Sequence, residues 1–533
     1  MPTPRSTSPL PSGWPGWLRR ARCDRVRDCL RFAPCVIEAR PKSGFFVRRA
    51  RNLPPVPATT RPPARAVAVE TNAIADAVLD AAGDPAYTSF GAATASEDLY
   101  AVERVRRALA RSAQRHASSL GVYATAPGIA PLRQAISRRA LELGCNLDHR
   151  NVVVTNGCME AITLCLRAVT QPGDVIAIES PTYFGFLRAM QVLGLRAVEI
   201  PMQPGIGLSL EALEVALDTQ PIKAVVAVPT LSNPLGTIMP VASKKRLAEL
   251  LEQRGIPLIE DVICNDLAPT EEDRRAVRSF DRSGNVMICG SFGKTLAPGL
   301  RGIGWVDAGR WSGQVANLKR ALSGGGSAVI EWAVAELLEQ GGYDQSLRQL
   351  RRSFADQIHI ARQIIAAAFP PGSRATDPAG GFILWIELPK SVDAVALYQR
   401  CIEQRIVIVP GTLFTTSTRS DAWRRNWPDE CRLSAWNGRH ILAPYTTLPS
   451  HLSYQAMTTT TVFTNNRSQA VRLPAELRLP EGVKQVSVRA RGKERIIAPL
   501  ESSWDSFFHS SPAVSDDFLE IRAPQEQAAR ESL

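Results

Sequence analysis

Between residues 70 and 418 the sequence alternates short apolar runs with longer segments whose apolar residues recur at helical spacing, as at 243–253. Apolar runs bounded by turn residues predict buried strands. Strands that alternate with helices predict a doubly wound, mostly parallel sheet of the α/β class. The predicted strands are 152–155, 175–179, 224–229, 257–261 and 286–290.

The pattern changes on both sides of this region. Residues 51–65 are rich in proline, and the apolar run at 380–389 indicates a second, smaller α/β domain. The regular alternation is lost after residue 418, and from Met457 short β-type runs lead into an acidic tail. We therefore expect a basic leader (1–50), a Pro-rich linker (51–69), the α/β region (70–440), a seam (441–456) and a small β domain (457–533).

The length and composition of the chain indicate how many domains it has and where in the cell it is located. A chain of 533 residues exceeds one ordinary core, so two or more domains are expected. The sequence has no apolar run of membrane-spanning length and no recognisable secretion signal, which predicts a cytoplasmic protein without a membrane partner. Ten cysteines in a chain of this length do not indicate a disulfide framework. No histidine lies near Cys23, Cys29 or Cys35, so we expect no metal site.

Most of the net charge of +12 lies at the N-terminal end. The first 51 residues contain twelve Lys and Arg but three Asp and Glu. A basic arm of this kind suits contact with nucleic acid. A disordered leader is the simpler interpretation, and the composition favours it.

Polar residues follow several of the predicted strands. Lys294 lies in the stretch SFGKTLAPGLRGIGWV after the strand at 286–290, Asp261 ends the strand before it, and Asn233 follows an earlier strand. Gly157 begins a strand–glycine–helix turn whose helix amides suit a phosphate. Singly, these features are as well explained by a surface lysine, a buried ion pair and ordinary turns. Ligands bind at the carboxyl ends of parallel strands, however, and the combination favours a ligand site.

Taken together in their order along the sequence, the motifs resemble the class I/II aminotransferases. These are the fold type I enzymes that use pyridoxal 5′-phosphate. The resemblance covers about residues 70–440 and implies transfer of an amino group between an amino acid and a 2-oxo acid. It assigns Lys294 to the Schiff base with the cofactor and to proton transfer at the substrate Cα. It assigns Asp261 to the pyridine nitrogen and Asn233 to the ring hydroxyl.

The same resemblance implies the remaining contacts. Tyr183 would stack on the cofactor ring, and Tyr123 would reach the phosphate bound by the other subunit, so the site would require a homodimer. Arg432 would bind the substrate α-carboxylate through two parallel hydrogen bonds. The phosphate would be held by Gly157, Cys158, Ser291 and Arg301.

The sequence departs from the family pattern in three places. Cys264 stands where the family has a tyrosine, which removes one hydrogen bond to the ring hydroxyl. One extra residue follows Arg301 in a segment that usually reads Arg-x-Gly. An insertion after residue 418 separates Arg432 from the preceding segment of the family pattern. These departures leave open whether the domain turns over substrate.

The stretch VIEARPKSGFFVRR at 36–49 predicts two strands around a turn and resembles the wing of a GntR-type winged helix. A wing, a Pro-rich linker and an aminotransferase-like domain together resemble the MocR subfamily of transcription regulators. An alternative function is therefore a regulator that binds DNA and uses this domain as a sensor. Residues 1–35 lack the expected helix-turn-helix, and a wing alone would bind DNA weakly and without specificity.

Residues 457–533 resemble a VapB-type antitoxin with an AbrB-like swapped-hairpin fold, although a generic small β domain with a solvated tail is the simpler alternative. The tail resembles the segment with which such antitoxins wrap a PIN-domain ribonuclease toxin, and Arg522 would enter the toxin's acidic site. A third hypothesis is thus a DNA-binding antitoxin with a decayed enzyme domain, made by joining two neighbouring reading frames. The implied DNA contacts are Arg467, Ser468, Gln469 and Arg472, and the implied apolar anchors are Trp504, Phe507 and Phe508.

Overall fold

The computed structural model of the protein describes residues 37–40, 44–47, 53–70, 74–91, 93–300, 303–416, 432–435, 462–465, 468–471, 486–491 and 494–499. For the strands before residue 50 and after residue 430 the description covers the backbone. Among the described residues no helix is both long enough and apolar enough to cross a membrane. The predicted leader up to residue 36 and the predicted seam at 441–456 lie outside the described residues. The same is true of the residues expected to contact a toxin, which are Trp504, Phe507, Phe508 and Arg522.

The chain divides into two compact units, residues 1–447 and 448–533. The strands of the first unit are β1 Ile37–Arg40, β2 Gly44–Val47, β3 Val67–Ala68, β4 Thr88–Ser89, β5 Val152–Thr155, β6 Val175–Ser180, β7 Arg196–Gln203, β8 Gly207–Leu208, β9 Ile222–Ala227, β10 Leu258–Asp261, β11 Val286–Ser291, β12 Gly304–Asp307, β13 Arg374–Ala375, β14 Leu384–Glu387, β15 Ile406–Val407, β16 Val409–Pro410 and β17 Arg432–Ala435. Those of the second are β18 Val462–Asn465, β19 Ser468–Val471, β20 Val486–Arg491 and β21 Glu494–Pro499.

The described helices all belong to the first unit. The α-helices are α1 Ile74–Gly83, α2 Val102–Arg115, α3 Ala130–Arg139, α4 Cys158–Val169, α5 Phe184–Val192, α6 Leu210–Thr219, α7 Val241–Arg254, α8 Glu271–Arg274, α9 Ser312–Ser323, α10 Ala328–Glu339, α11 Gly342–Ala368 and α12 Ala394–Glu403. Short 3₁₀ turns lie at Glu97–Leu99, Ala117–Gly121, Ala140–Leu143, Asn265–Leu267, Val277–Phe280, Pro298–Leu300, Gly309–Trp311 and Gly411–Phe414.

Local sequence signals set several helix ends. The Ser209 hydroxyl accepts a 3.2 Å hydrogen bond from the Ala212 amide at the start of α6. The Asp393 carboxylate accepts a 2.8 Å bond from the Val395 amide at the start of α12. Gly255 adopts the left-handed conformation that ends α7, at φ 65°. Such caps satisfy amides and carbonyls that have no partner inside the helix.

The main sheet has the strand order β3-β7-β6-β9-β10-β11-β12-β5, with β8 paired to β7. Strands β5, β6, β7, β9, β10 and β11 run in one direction, whereas β3, β8 and β12 run against their neighbours. The expected doubly wound, mostly parallel α/β sheet is therefore confirmed, and all five predicted strands belong to it. The antiparallel strand β12 was not predicted, and it separates β11 from β5.

Helices cover both faces of this sheet. Val153 contributes to a core with α4, α5 and α9, whereas its neighbours Val152 and Val154 contribute to a larger core on the other face. The alternation follows from the period of two in a β-strand. Because both faces are buried, the strands read as continuous apolar runs in the sequence.

A smaller antiparallel sheet has the strand order β13-β14-β17-β16. Its strand β14 lies within the apolar run at 380–389, as expected for the smaller domain. Strand β17 pairs with β14 so that Arg432 is opposite Glu387 and Ser434 is opposite Trp385. The insertion before β17 therefore does not prevent this strand from joining the small sheet.

The expected linker is packed against the first unit from residue 53 onward, and we call residues 53–66 the linker segment. At its start, the Pro54 carbonyl accepts a 3.1 Å hydrogen bond from the Arg362 guanidinium. The Pro55 carbonyl accepts a 3.0 Å bond from the Ala375 amide in β13. The linker segment is thus attached to the small sheet.

Farther along, the linker segment is attached to the main sheet through Thr60, which is 3% exposed. The Thr60 hydroxyl donates a 2.6 Å hydrogen bond to the Ser180 carbonyl and accepts a 2.7 Å bond from the Met202 amide. Residues just after it form β3 at the sheet edge, beside β7. Packed structure therefore begins before residue 70, and the linker segment connects the two sheets.

Of the remaining described strands, β4 and β15 pair in parallel, and the other six form three hairpins. The pair β1–β2 has Ile37 opposite Val47, which matches the strand–turn–strand expected at 36–49. In the second unit, β18 pairs with β19 and β20 pairs with β21, both antiparallel. The second unit is thus β-rich in its described part, and the exchange of hairpins between two copies stays a prediction.

Candidate active site

The carboxyl ends of β5, β6, β9, β10 and β11 meet around a cavity of about 300 Å³. Because all five strands run in one direction, the residues that follow them converge at one edge of the sheet. The lining residues are Leu79, Phe90, Gly91, Ala93, Asn156, Gly157, Cys158, Met159, Tyr183, Phe184, Val228, Leu231, Asn233, Asp261, Ile263, Cys264, Ser291, Gly293, Lys294, Pro298, Phe382, Ile383 and Phe414. The structure thus brings together seven of the sequence-predicted site residues: Gly157, Cys158, Tyr183, Asn233, Asp261, Ser291 and Lys294.

Lys294 lies in the turn that follows β11, and its ammonium donates a 2.6 Å hydrogen bond to the Ala93 carbonyl. Burial lowers the pKa of Lys294, and the nearby Cys264 and Asp261 partly offset this effect. A lowered pKa increases the fraction of neutral amine, which is the nucleophilic and basic form.

Asp261 is the last residue of β10 and is 6% exposed. Its Oδ1 accepts a 2.8 Å hydrogen bond from the Ile263 amide and a 3.3 Å bond from the Cys158 thiol. Burial raises the pKa of Asp261 to about 6, against the opposing effects of these two hydrogen bonds and of the Lys294 charge. The carboxylate is therefore mostly ionised at neutral pH, although it is buried.

The N-terminus of α4 forms the cavity wall beside Asp261. Gly157 precedes the helix with φ 80°, a conformation that glycine adopts without strain. A Cβ on Gly304 in the adjacent strand β12 would collide with the Gly157 carbonyl, so glycine at 304 allows the close approach. The first amides of α4 have no partner inside the helix and lie at the positive end of its dipole, which suits an anion.

A partly buried ion pair between Glu160 and Lys319 supports this turn. The Glu160 carboxylate accepts a 2.5 Å hydrogen bond from the Asn156 amide. The same carboxylate pairs with the Lys319 ammonium of α9 at 2.8 Å, and the Lys319 side chain is fully buried. Glu160 therefore fixes the residue that leads into the Gly157 turn.

Asn233 lies in a turn that a second buried lysine supports. Lys244 lies in α7 and is fully buried. Its ammonium donates a 2.7 Å hydrogen bond to the Thr230 hydroxyl. It also donates to the carbonyls of Asp273 at 3.0 Å and Arg275 at 2.7 Å. The start of the turn that carries Asn233 is thus anchored through Lys244 of α7 to α8 and to the residue that follows it.

Two further side chains complete the described wall. The Tyr183 ring packs against Phe184 and Phe186, with ring centroids 5.0 and 5.4 Å apart. Cys264 is buried beside the cavity, and burial raises the pKa of its thiol to about 12. Cys264 is therefore a neutral thiol at the position where the family pattern has a tyrosine hydroxyl.

The structure separates the other predicted site residues from this group or does not describe them. Tyr123 is 96% exposed and is not among the described residues that line the cavity of its own chain. Arg432 begins β17, whose description covers the backbone. Ser468 and Gln469 belong to β19 of the second unit. Outside the described residues lie Arg301, Arg467 and Arg472.

Sequence reasoning missed several groups behind the cavity. The Ala93 carbonyl contacts Lys294 from a loop 201 residues earlier in the chain. The Tyr343 hydroxyl donates a 3.0 Å hydrogen bond to the Asp266 carboxylate and accepts a 2.6 Å bond from the hydroxyl of Thr295, which lies next to Lys294 in sequence. No local pattern marks these residues, because their roles depend on contacts between distant segments.

Comparison with known families shows the family to which the chain belongs. The sequence profile of the family described as "Aminotransferase class I and II" matches residues 90–431. The chain belongs to the class I and II aminotransferases. The fold type I architecture and the pyridoxal phosphate cofactor expected for this aminotransferase are thereby confirmed.

Individual relatives of this aminotransferase fall into two groups. It is 34% identical over 383 residues to the uncharacterized HTH-type transcriptional regulator YjiR of Escherichia coli K12, covering 72% of this chain and 81% of the relative. It is 28% identical over 328 residues to aromatic-amino-acid aminotransferase 1 of Thermococcus litoralis, covering 60% of this chain and 77% of the relative. The aminotransferase is therefore similar both to regulators and to enzymes.

Solved structures support the fold of this aminotransferase. The α-aminoadipate aminotransferase LysN of Thermus thermophilus, solved with N-(5′-phosphopyridoxyl)-L-leucine, gives a TM-score of 0.61 at 24% identity, covering 69% of this chain and 90% of that chain. An archaeal alanine:glyoxylate aminotransferase gives a TM-score of 0.62 at 22% identity, covering 70% of this chain and 92% of that chain.

Proposed function

We propose that this chain binds pyridoxal phosphate in the cavity at the edge of the main sheet and transfers an amino group between an amino acid and a 2-oxo acid. The single observation that carries the proposal is the placement of Lys294 and Asp261 in one cavity, beside the N-terminus of α4. An amine, an ionised carboxylate and an anion-binding helix end are the three groups that this cofactor requires.

The residues present fit the cofactor. The Lys294 amine would hold the aldehyde carbon, the Asp261 carboxylate would pair with the protonated pyridine nitrogen, and the amides at Gly157 and Cys158 would bind the phosphate. The close approach that Gly304 permits keeps this turn against the sheet. When bound, pyridoxal phosphate supplies an electron sink for the bond broken at the substrate Cα.

The chain itself supplies proton transfer and positioning. Because burial lowers the pKa of Lys294, its amine is better able to take a proton from the substrate Cα near neutral pH. Asp261 would stay ionised through the hydrogen bonds from Cys158 and Ile263. Asn233 and Tyr183 would fix the position of the ring.

The finer roles of three residues are taken from the family resemblance. We assign Arg301 to the cofactor phosphate and Arg432 to the substrate α-carboxylate. We assign Tyr123 to the phosphate of a partner subunit, so the proposed active form is a homodimer. The exposure of a short apolar stretch around Tyr123 supports this dimer: Leu120 is 69% exposed, Val122 69% and Tyr123 96%.

The test is a spectral titration of the full chain with pyridoxal phosphate, followed by a panel of amino acids and then a 2-oxo acid. We expect a visible absorbance band that moves toward the ultraviolet with a productive amino acid and returns with the 2-oxo acid. Lys294→Ala should abolish the band, whereas Lys245→Ala, which alters a lysine with a 61% exposed side chain, should retain it. A band that no amino acid shifts would contradict turnover while leaving cofactor binding intact.

A second candidate function is transcription regulation by DNA binding, in which the aminotransferase domain acts as the sensor. Three observations favour it: the regulator named among the relatives, the β1–β2 hairpin and the linker segment attached to both sheets. Binding of the full chain to DNA from its own promoter should then change when pyridoxal phosphate is added. DNA affinity that is the same with and without cofactor would contradict the sensor role.

A third candidate rests on the two hairpins of the second unit. Here the unit would bind DNA through Arg467, Ser468, Gln469 and Arg472, and its tail would bind a PIN-domain ribonuclease. Co-expression with a PIN-domain ribonuclease encoded beside the gene tests this directly. The full chain should form a complex that inhibits the ribonuclease, and free, fully active ribonuclease would contradict the hypothesis.

A further inference from the structure

We propose that Tyr343 is a positioning residue for Lys294, because it holds the turn that carries the lysine and connects this turn to the segment that follows Asp261. The inference rests on the proposed function, in which Lys294 binds the cofactor. Tyr343 is buried and is not among the described residues that line the cavity. It would therefore act on the cofactor through Lys294 and not by direct contact.

Tyr343 contacts the turn on both sides of Lys294. Two residues before the lysine, the Phe292 ring packs edge-to-face against the Tyr343 ring, with centroids 6.0 Å apart. Immediately after the lysine, the Thr295 hydroxyl donates a 2.6 Å hydrogen bond to the Tyr343 hydroxyl. The turn itself is tight, since the Phe292 carbonyl accepts a 2.9 Å bond from the Leu296 amide. A shift of Thr295 would therefore move the backbone of Lys294.

The same hydroxyl reaches the segment that follows β10. It donates a 3.0 Å hydrogen bond to the Asp266 carboxylate. Asp266 comes five residues after Asp261, the last residue of β10, and two residues after Cys264, which lines the cavity. Tyr343 thus joins the segments that follow the neighbouring strands β10 and β11. This connection fixes the backbone of Lys294 relative to that of Asp261.

The direction of these hydrogen bonds follows from the chemistry of a single hydroxyl. A phenol has one proton, so a Tyr343 hydroxyl that donates to the Asp266 carboxylate must accept from Thr295. Burial and the neighbouring Asp266 carboxylate raise the pKa of Tyr343, so its hydroxyl stays protonated. Arg139 stabilises this arrangement, because its guanidinium lies 5.0 Å from the centre of the Tyr343 ring and donates a 3.2 Å hydrogen bond to Asp266.

The placement of Lys294 matters because its amine must reach the cofactor. In the structure this amine donates a 2.6 Å hydrogen bond to the Ala93 carbonyl. When pyridoxal phosphate binds, the neutral amine adds to the aldehyde carbon, and one water molecule leaves as the C=N bond forms. A misplacement of about 1 Å between reacting atoms slows such a step by up to about 100-fold. Loss of the Tyr343 hydroxyl should therefore slow this linkage, while the groups proposed for the cofactor phosphate and pyridine nitrogen remain.

The test compares two ligands on the full chain freed of cofactor. Pyridoxal 5′-phosphate can be linked to the lysine, whereas pyridoxine 5′-phosphate carries an alcohol in place of the aldehyde and cannot. At saturating pyridoxal phosphate, stopped-flow absorbance measures the rate of linkage, and calorimetry measures the affinity for pyridoxine phosphate. Tyr343→Phe, which retains the ring, should slow linkage about ten- to hundredfold and change that affinity by less than about threefold.

A second buried tyrosine separates positioning from a general loss of structure. Tyr398→Phe alters a buried residue of α12 that is not among the described lining residues of the cavity, and it should leave the rate and the affinity unchanged. An unchanged linkage rate in Tyr343→Phe would overturn the inference. So would an equal loss in rate and in affinity, because that pattern indicates a disrupted cavity and not a displaced lysine.

Variants of Thr295 test whether Tyr343 acts through this residue. Thr295→Val removes the donor to the Tyr343 hydroxyl and should slow linkage, whereas Thr295→Ser keeps the donor and should react at the wild-type rate. Adding Thr295→Val to Tyr343→Phe should cause little further loss, because both changes remove the same contact. A wild-type rate in Thr295→Val, or effects that multiply in the double variant, would overturn the inference. A wild-type chain that binds neither ligand would refute the proposed function, and the inference with it.

Discussion

The Cys158 thiol donates a 3.3 Å hydrogen bond to the Asp261 carboxylate, which joins the first residue of α4 to the last residue of β10. This contact favours the ionised form of Asp261 and opposes the burial that raises its pKa to about 6. Because the carboxylate must be ionised to pair with the pyridine nitrogen, we expect cofactor affinity to fall as the pH drops below about 6. Calorimetric titration with pyridoxal phosphate between pH 5 and 8 measures this dependence.

Replacement of the Cys158 thiol should shift the pH midpoint of cofactor binding. Cys158→Ala removes a donor to the ionised carboxylate, so the midpoint should move to higher pH and affinity at pH 6 should fall about three- to tenfold. Cys158→Ser retains a donor at the same place and should keep the midpoint near or below that of the wild type. Superimposable profiles for the alanine and serine variants would show that the hydrogen bond does not control Asp261.

The Lys244 ammonium should contribute both to stability and to cofactor binding. Lys244→Met leaves the Thr230 hydroxyl and the carbonyls of Asp273 and Arg275 without their donor. We expect a loss of about 2–4 kcal/mol in the free energy of unfolding, measured by chemical denaturation. Cofactor affinity should also fall several-fold, because the turn that carries Asn233 loses its anchor.

The next residue in the chain gives the matched control. Lys245 has a side chain that is 61% exposed and pairs with Glu249 at 3.7 Å. Exposed pairs of this kind contribute about 0–1 kcal/mol, so Lys245→Met should alter stability little. Similar losses in the two variants would contradict a specific role for Lys244.

The linker segment should stabilise the first unit through Thr60. Thr60→Val removes the hydroxyl that bonds the Ser180 carbonyl and the Met202 amide, and it leaves both groups buried. We expect the free energy of unfolding of the first unit to fall by about 1–3 kcal/mol. Proteolysis within residues 53–66 should also become faster. Thr219→Val, at an exposed hydroxyl bonded to the Val215 carbonyl, should change neither. Unchanged proteolysis in Thr60→Val would show that the linker segment is not held by this residue.

Glu179 should make the folded state less stable as the pH rises. It is 1% exposed, and burial raises its pKa from the ordinary 4.5 to about 8. Between these two values the unfolded chain has released a proton that the folded chain retains. The stabilising effect of the raised pKa is therefore complete below pH 4.5 and is lost as the pH rises through about 8.

Glu179→Gln removes this titration from the folded state. Relative to the variant, the free energy of unfolding of the wild type should fall by on the order of 2–4 kcal/mol between pH 5 and 9. Chemical denaturation curves recorded across that range measure this change. The comparison uses the change in the free energy of unfolding with pH. A destabilisation by the glutamine amide that is the same at every pH therefore does not affect it. Parallel curves for the two proteins would contradict the raised pKa.

The sequence predicted the features that depend on local pattern. The apolar runs located five strands of the main sheet, and residues after these strands, such as Lys294 and Asp261, converge as the sheet topology requires. The Gly157 turn was likewise predictable, because a strand, a glycine and a helix follow one another directly.

Features set by contacts between distant segments were not predictable in this way. Strand β12 lies between β11 and β5 and runs antiparallel to both. Its own residues do not indicate that direction. Lys244 and Lys319 are charged residues on helices, and local spacing gives no reason to bury them. Proline-rich composition indicates a linker, yet Thr60 attaches that segment to the main sheet through hydrogen bonds that only the fold creates.

The most direct measurement is to trap the bound cofactor and find the residue that carries it. The full chain is loaded with pyridoxal phosphate, reduced with borohydride, digested and analysed by peptide mass spectrometry. A single phosphopyridoxyl group on the peptide that contains Lys294, absent from the Lys294→Ala variant, is the expected result. Modification spread over exposed lysines such as Lys245, or no modification of the Lys294 peptide, would show that this cavity is not the cofactor site.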